Sequence, residues 1–134
     1  MALSEPASVD PMPVPFDHPL WIVYSSGTTG LPKAIVHGHG GIVLEHVKAA
    51  ALHFDLGHDD RFFWFSSTGW IMWNLQIAGL LVGTTICIFD GSPAGADAAA
   101  PDLDTLWRFA ACGGATFFGA GAAFYASCAK ADLA

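Results

Sequence analysis

The segment Tyr24-Ser25-Ser26-Gly27-Thr28-Thr29-Gly30-Leu31-Pro32-Lys33 constrains this chain more than any other. It follows Leu20 to Ser25, a short β-rich run, so a strand running into a glycine-rich loop is expected. Gly27 and Gly30 permit backbone torsions that other residues resist, which lets amide N–H groups converge on an anion. Ser25, Ser26, Thr28 and Thr29 add hydroxyl donors, Pro32 restrains the chain, and Lys33 supplies a point charge. Such a loop reads as a grip for a triphosphate or pyrophosphate. It is not a Walker A loop, which needs four residues between its glycines and then Lys-Ser/Thr opening a helix. Here Lys33 leads into Ala34-Ile35-Val36-His37, a second short strand. A plain Ser/Thr/Gly surface turn is the simpler alternative, but the order Ser-Ser-Gly-Thr-Thr-Gly-x-Pro-Lys is too specific for it.

Downstream, apolar runs and helical periodicities alternate. Val43, Val47, Ala50 and Phe54 recur at helical spacing, predicting an amphipathic helix over residues 42–54. After Asp59 and Asp60, residues 61–65 form an aromatic strand, and residues 70–82 are apolar on nearly every face, predicting a buried helix. Residues 84–89 read as a strand and 94–101 as a loop. Asp102 reads as the N-cap of a helix through Ala111, with Asp104 in its first turn. Gly113 and Gly114 close that helix; residues 115–118 form a strand and 122–130 a last helix. This alternation predicts an α/β fold with a mostly parallel sheet flanked by helices. The strands lack polar alternation, as expected when both faces are covered. With a helix last in order, at least one sheet edge is expected to lack a neighbour. Residues 1–15 read as a disordered lead-in, and 16–134 as part of one larger domain.

Composition agrees with a slice of a larger interior. Hydrophobic residues make up 53% of the 134 and charged residues 13%, with mean hydropathy +0.46, where charged residues usually approach a quarter. The longest apolar run is broken by Asn74, Gln76 and Gly79, and falls short of the ~20 residues a membrane span needs. The N-terminus has no secretory n- or h-region. A net charge of −7 with five Lys and Arg excludes the basic footprint of a nucleic-acid binder. Cys87, Cys112 and Cys128 are odd in number and lack CxxC spacing, which argues for reduced, buried thiols in a cytoplasmic protein rather than a disulfide scaffold or zinc site.

Tyr24 to Lys33 resembles the signature of the adenylate-forming (AMP-binding) superfamily of acyl-CoA synthetases, luciferases and peptide-synthetase adenylation domains. Ala34 departs from the glycine usual after the lysine. The resemblance implies that Ser25, Ser26, Gly27, Thr28, Thr29, Gly30 and Lys33 hold the β- and γ-phosphates of ATP, with Lys33 the candidate catalytic residue. It also implies Mg²⁺ bound through the phosphates and CoA as co-substrate. Residues 35–46, 68–74, 89–93 and 118–122 resemble stretches of the acetoacetyl-CoA synthetases. Acetyl- and propionyl-CoA synthetases share the Gly69-Trp70 pair and remain rivals, as does a catalytically silent nucleotide-binding segment. Family motifs for adenine stacking, ribose binding and the C-terminal lysine do not occur in residues 1–134. The resemblance therefore implies an incomplete site whose partner is the remainder of the synthetase.

Trp70, Gly119 and Gly121 fall at strand ends and are candidates for an acyl or CoA pocket; the two glycines fit a plain strand-to-helix turn equally, and Trp70, Met72 and Trp73 fit a pocket wall or core packing, with Trp70 favoured for the site. His37 and His39 have no third ligand nearby and read as structural, and His46, His53 and His58 receive no role.

Overall fold

The computed structural model describes residues 8–25, 30–97 and 99–133, and the chain divides into two compact units, Met1–Ile42 and Val43–Ala134. In the first unit, β1 (Pro19–Ser25) pairs antiparallel with β2 (Lys33–Gly38), in register from Trp21 opposite His37 to Ser25 opposite Lys33. The predicted parallel arrangement does not extend to this pair, which forms its own two-stranded sheet. Loop length is the reason. Only residues 26–32 lie between the strands, whereas a parallel crossover needs a dozen or more. The expected cover on both faces is missing here too: Ile22, Tyr24, Ile35 and Val36 are exposed. Trp21 Nε1–H donates to His37 Nδ1 at 2.9 Å, and His39 Nδ1–H donates to the His18 carbonyl at 2.8 Å. Both histidines thus have structural partners.

α1 (His39–Lys48) runs on into a π-helical turn, Ala49–His53, which ends with the Phe54 N–H on the Ala49 carbonyl at 3.0 Å. Its apolar stripe is buried only toward the end, at Ala50, while Val43 is exposed. In the second unit, β3 (Arg61–Trp64) lies between β4 (Thr85–Cys87) and β5 (Phe117–Gly119), all parallel. The helices are α2 (Ile71–Ala78), continued by a 3₁₀ turn Gly79–Val82, then α3 (Thr105–Gly113) and α4 (Ala122–Lys130).

Successive side chains of a strand point to opposite faces, and β3 puts a phenylalanine on each. Phe62 joins Ala50 and Leu56, with Leu75 of α2 packed on them. Phe63 joins Leu106 and Ala110 of α3, with Phe118 and, from α4, Phe124. Helices therefore cover both faces of the parallel sheet, which is the α/β layering expected. Asp60 fastens one end of it: its carboxylate accepts from the Gly57 N–H at 2.9 Å and the Thr116 hydroxyl at 2.8 Å.

Two local expectations change. α3 begins after Asp104, not Asp102, because Asp102 accepts the Asp104 N–H at 3.1 Å and both carboxylates pair with Arg108. This turn delays the helix. Nor is the helix over residues 70–82 buried throughout: Trp70, Ile71, Leu80 and Leu81 are exposed, and its most buried side chain is the polar Gln76, at 1%.

Candidate functional site

Ser25 and Lys33 face one another as the last registered pair of β1 and β2, with residues 26–32 between them in sequence. Ser26, Gly27, Thr28 and Thr29 lie outside the described residues. Of the rest, Gly30 and Leu31 are exposed, Leu31 at 90%, and Lys33 is exposed at the start of β2. The hairpin thus sets the Ser25 hydroxyl and the Lys33 ammonium group on facing residues, where the chain leaves β1 and enters β2.

The second unit holds a cleft of about 340 Å³ beyond the carboxyl end of its sheet. Residues 64–67, which continue β3, form one side; Trp70 and Met72 enter at the start of α2, Gly121 and Phe124 at the start of α4. Topology explains the opening. β3 and β5 are neighbours, but the helix after β3 packs against the Phe62 face and the helix after β5 against the Phe63 face. Chains leaving adjacent strands toward opposite faces part there and leave a crevice, the usual ligand position in open α/β sheets. The N-terminal ends of α2 and α4 both border it, with Trp70 and Gly121 in extended conformation just before each helix.

Of the predicted pocket residues, Trp70 and Gly121 line this cleft. Gly119 does not; it is buried beneath the indole of Trp64, where a Cβ would sit 2.1 Å from Trp64 Cε3. Met72 is at the cleft, whereas Trp73 is absent from its lining. Sequence reasoning passed over Trp64 and Gln76. Gln76 Oε1 accepts the Trp64 N–H at 2.7 Å and its Nε2 donates to the Cys87 carbonyl at 2.8 Å, joining the ends of β3 and β4. Two amides, Asn74 and Gln76, interrupt an otherwise apolar helix, and that was the available signal, since buried polar groups carry partners. On α4, the Tyr125 hydroxyl donates to the Phe118 carbonyl at 3.2 Å, and burial pushes its phenol above the ordinary value.

Among the described residues, no group of three His, Cys, Asp or Glu side chains could hold a metal ion, and no helix is long and apolar enough to cross a membrane. Cys87, Cys112 and Cys128 are free thiols, but only Cys128 is buried as expected; Cys87 is half-buried and Cys112, in the last turn of α3, is exposed.

A family model described as AMP-binding enzyme matches residues 2–132. The chain belongs to the AMP-binding enzyme family. Within it, the chain is 45% identical over 111 residues to the acetoacetyl-coenzyme A synthetase of Rhizobium meliloti, covering 83% of this chain and 16% of that protein. It is 41% identical over 119 residues to the acetoacetyl-CoA synthetase of Danio rerio, covering 89% and 17%. The solved acetoacetyl-CoA synthetase from Streptomyces lividans superposes with a TM-score of 0.83 at 56% identity, over 95% of this chain and 19% of that one. A luciferase-like enzyme from the Zophobas morio mealworm shares the fold alone, with a TM-score of 0.61 at 22% identity over 83% of this chain and 24% of its own. The chain thus spans less than a fifth of the length of these acetoacetyl-CoA synthetases.

Proposed function

We propose that this chain carries the phosphate grip and part of the acyl pocket of an AMP-forming acid–CoA ligase, with acetoacetate as its acid. The observation that carries the reading is the facing pair Ser25–Lys33, with the glycine-rich stretch between them in sequence. A Lys ammonium and serine hydroxyls at such a loop suit phosphate oxygens, the one as a point charge and the others as donors. Ser25, Ser26, Gly27, Thr28, Thr29, Gly30 and Lys33 would hold the β- and γ-phosphates of ATP. Relatives named for acetoacetate favour that acid over acetate or propionate.

In this reaction a carboxylate oxygen attacks the α-phosphorus, the bond to the bridging β-phosphate oxygen breaks, and pyrophosphate leaves. The CoA sulfur then bonds to the acyl carbon, its thiol proton is lost to a base, and AMP departs. Lys33 would offset the charge that builds on the departing pyrophosphate. A magnesium ion would be carried by the ATP phosphates and, when bound, would supply charge neutralisation. At the cleft, aromatic walls suit a short acyl chain, and the two helix N-termini favour its carboxylate. Adenine and ribose binding would be supplied by sequence outside these residues. Free thiols and the absence of a basic footprint support a cytoplasmic enzyme of small molecules.

Calorimetric titration of the chain with ATP, pyrophosphate and AMP tests this reading. ATP and pyrophosphate should bind and compete, with AMP much weaker. AMP binding as tightly as ATP would place recognition elsewhere than on the terminal phosphates.

A further inference from the structure

We infer that Trp64 is a specificity-determining residue, the fixed wall that sets how long an acid the cleft accepts; this rests on reading that cleft as the acyl pocket. Trp64 ends β3 and is one of the residues lining the cleft. Its remaining surroundings hold it in place. The indole stacks on Phe117, with centroids 6.3 Å apart and planes at 23°, and meets Phe62 edge-on at 6.5 Å. Its ring rests where Gly119 offers no side chain, and its backbone N–H is tied to the buried Gln76. A ring packed against two aromatic neighbours and a bare glycine has no space to recede into, because interiors are close-packed.

Trp70, by contrast, is 63% exposed, so the two tryptophans of the cleft differ in freedom. Trp70 can adjust to a ligand, whereas Trp64 stands still. A rigid aromatic wall admits a short unbranched acid and stops a longer chain by steric conflict. Substrates differing by one methylene are commonly separated by steric fit of this kind.

The test uses the whole 134-residue chain and a homologous set of carboxylates: acetate, acetoacetate, butyrate, hexanoate and octanoate. Binding is read from the Trp70 indole N–H resonance, which reports on the cleft without being altered. In the wild type, affinity should fall beyond butyrate. Trp64→Leu should raise the hexanoate-to-butyrate affinity ratio by about tenfold, the scale of discrimination by a methylene or two in an apolar pocket. Trp64→Phe should move it less in the same direction, and Gly119→Ala, which unseats the ring, should also displace the ratio from the wild-type value. If Trp64→Leu does not fold, the Phe and Ala variants decide. A purely structural role would weaken every acid by one factor and leave the ratio unchanged, which overturns the inference while the pocket reading stands. Failure of every acid to move the Trp70 resonance in the wild type overturns both.

Discussion

Gln76 Oε1 accepts a hydrogen bond from the backbone N–H of Trp64 at 2.7 Å, from a side chain that is 1% exposed. The other half of the amide donates to the Cys87 carbonyl at 2.8 Å, so one side chain closes the ends of two strands. Gln76→Leu keeps the bulk and leaves both backbone groups without that partner. A loss of about 2–6 kcal/mol is expected, from about 1–3 kcal/mol for each buried group left unmet. Urea unfolding measures it as a lower midpoint at unchanged slope. A change within ±0.5 kcal/mol, the usual range for surface substitutions, would show that the amide does not brace the sheet.

Leu106 is fully buried between α3 and β3, against Phe63. Leu106→Ala should cost about 2–5 kcal/mol through lost transfer energy and the cavity left behind. Leu80, 60% exposed in the 3₁₀ turn after α2, serves as the control. Leu80→Ala should stay within about 0.5 kcal/mol in the same denaturation series.

Asp60 ties the approach to β3 to the approach to β5. The Gly57 N–H and then the Thr116 hydroxyl hold its carboxyl below the ordinary carboxylate range. A carboxyl whose folded pKa is depressed stabilises the fold fully above its unfolded value, and that contribution is lost as pH falls through the folded value. The wild type should therefore be more stable than Asp60→Asn at neutral pH. The gap should close as pH falls below the ordinary carboxylate range. Thermal melts of both proteins across acid to neutral pH measure it, and a gap independent of pH would assign the stabilisation to something other than ionised Asp60.

Much of the second unit was legible because its local signals agree with its packing. The aromatic run from Arg61 reads as a strand covered on both faces, and Phe62 and Phe63 occupy separate cores. α4 spans Ala122–Lys130 as its sequence predicts, set off by the glycines before it. Partnering was harder to read. The hairpin pairing followed from the short stretch between Ser25 and Lys33, but alternation of elements alone suggested a parallel sheet. Gln76 looked like an interruption of an apolar run, because its two backbone partners are 12 and 11 residues away in sequence. Asp102 was misplaced because its contact with Arg108 competes with capping, and residue type does not reveal which wins. At the cleft, Trp70 and Gly121 were nameable from their strand-end positions, whereas Trp64 required knowing which side of β5 carries the bare Gly119.

The central claim is that the hairpin loop grips the terminal phosphates of ATP, and Lys33→Ala tests it most directly. Titrating ATP and AMP into wild type and variant by calorimetry compares one lost charge against two ligands. ATP affinity should fall about tenfold or more, since a hydrogen bond to a charged group contributes about 1.5–3 kcal/mol, while AMP affinity stays within error of the wild type. An equal loss for ATP and AMP, or none for either, would contradict the phosphate role of the Ser25–Lys33 loop.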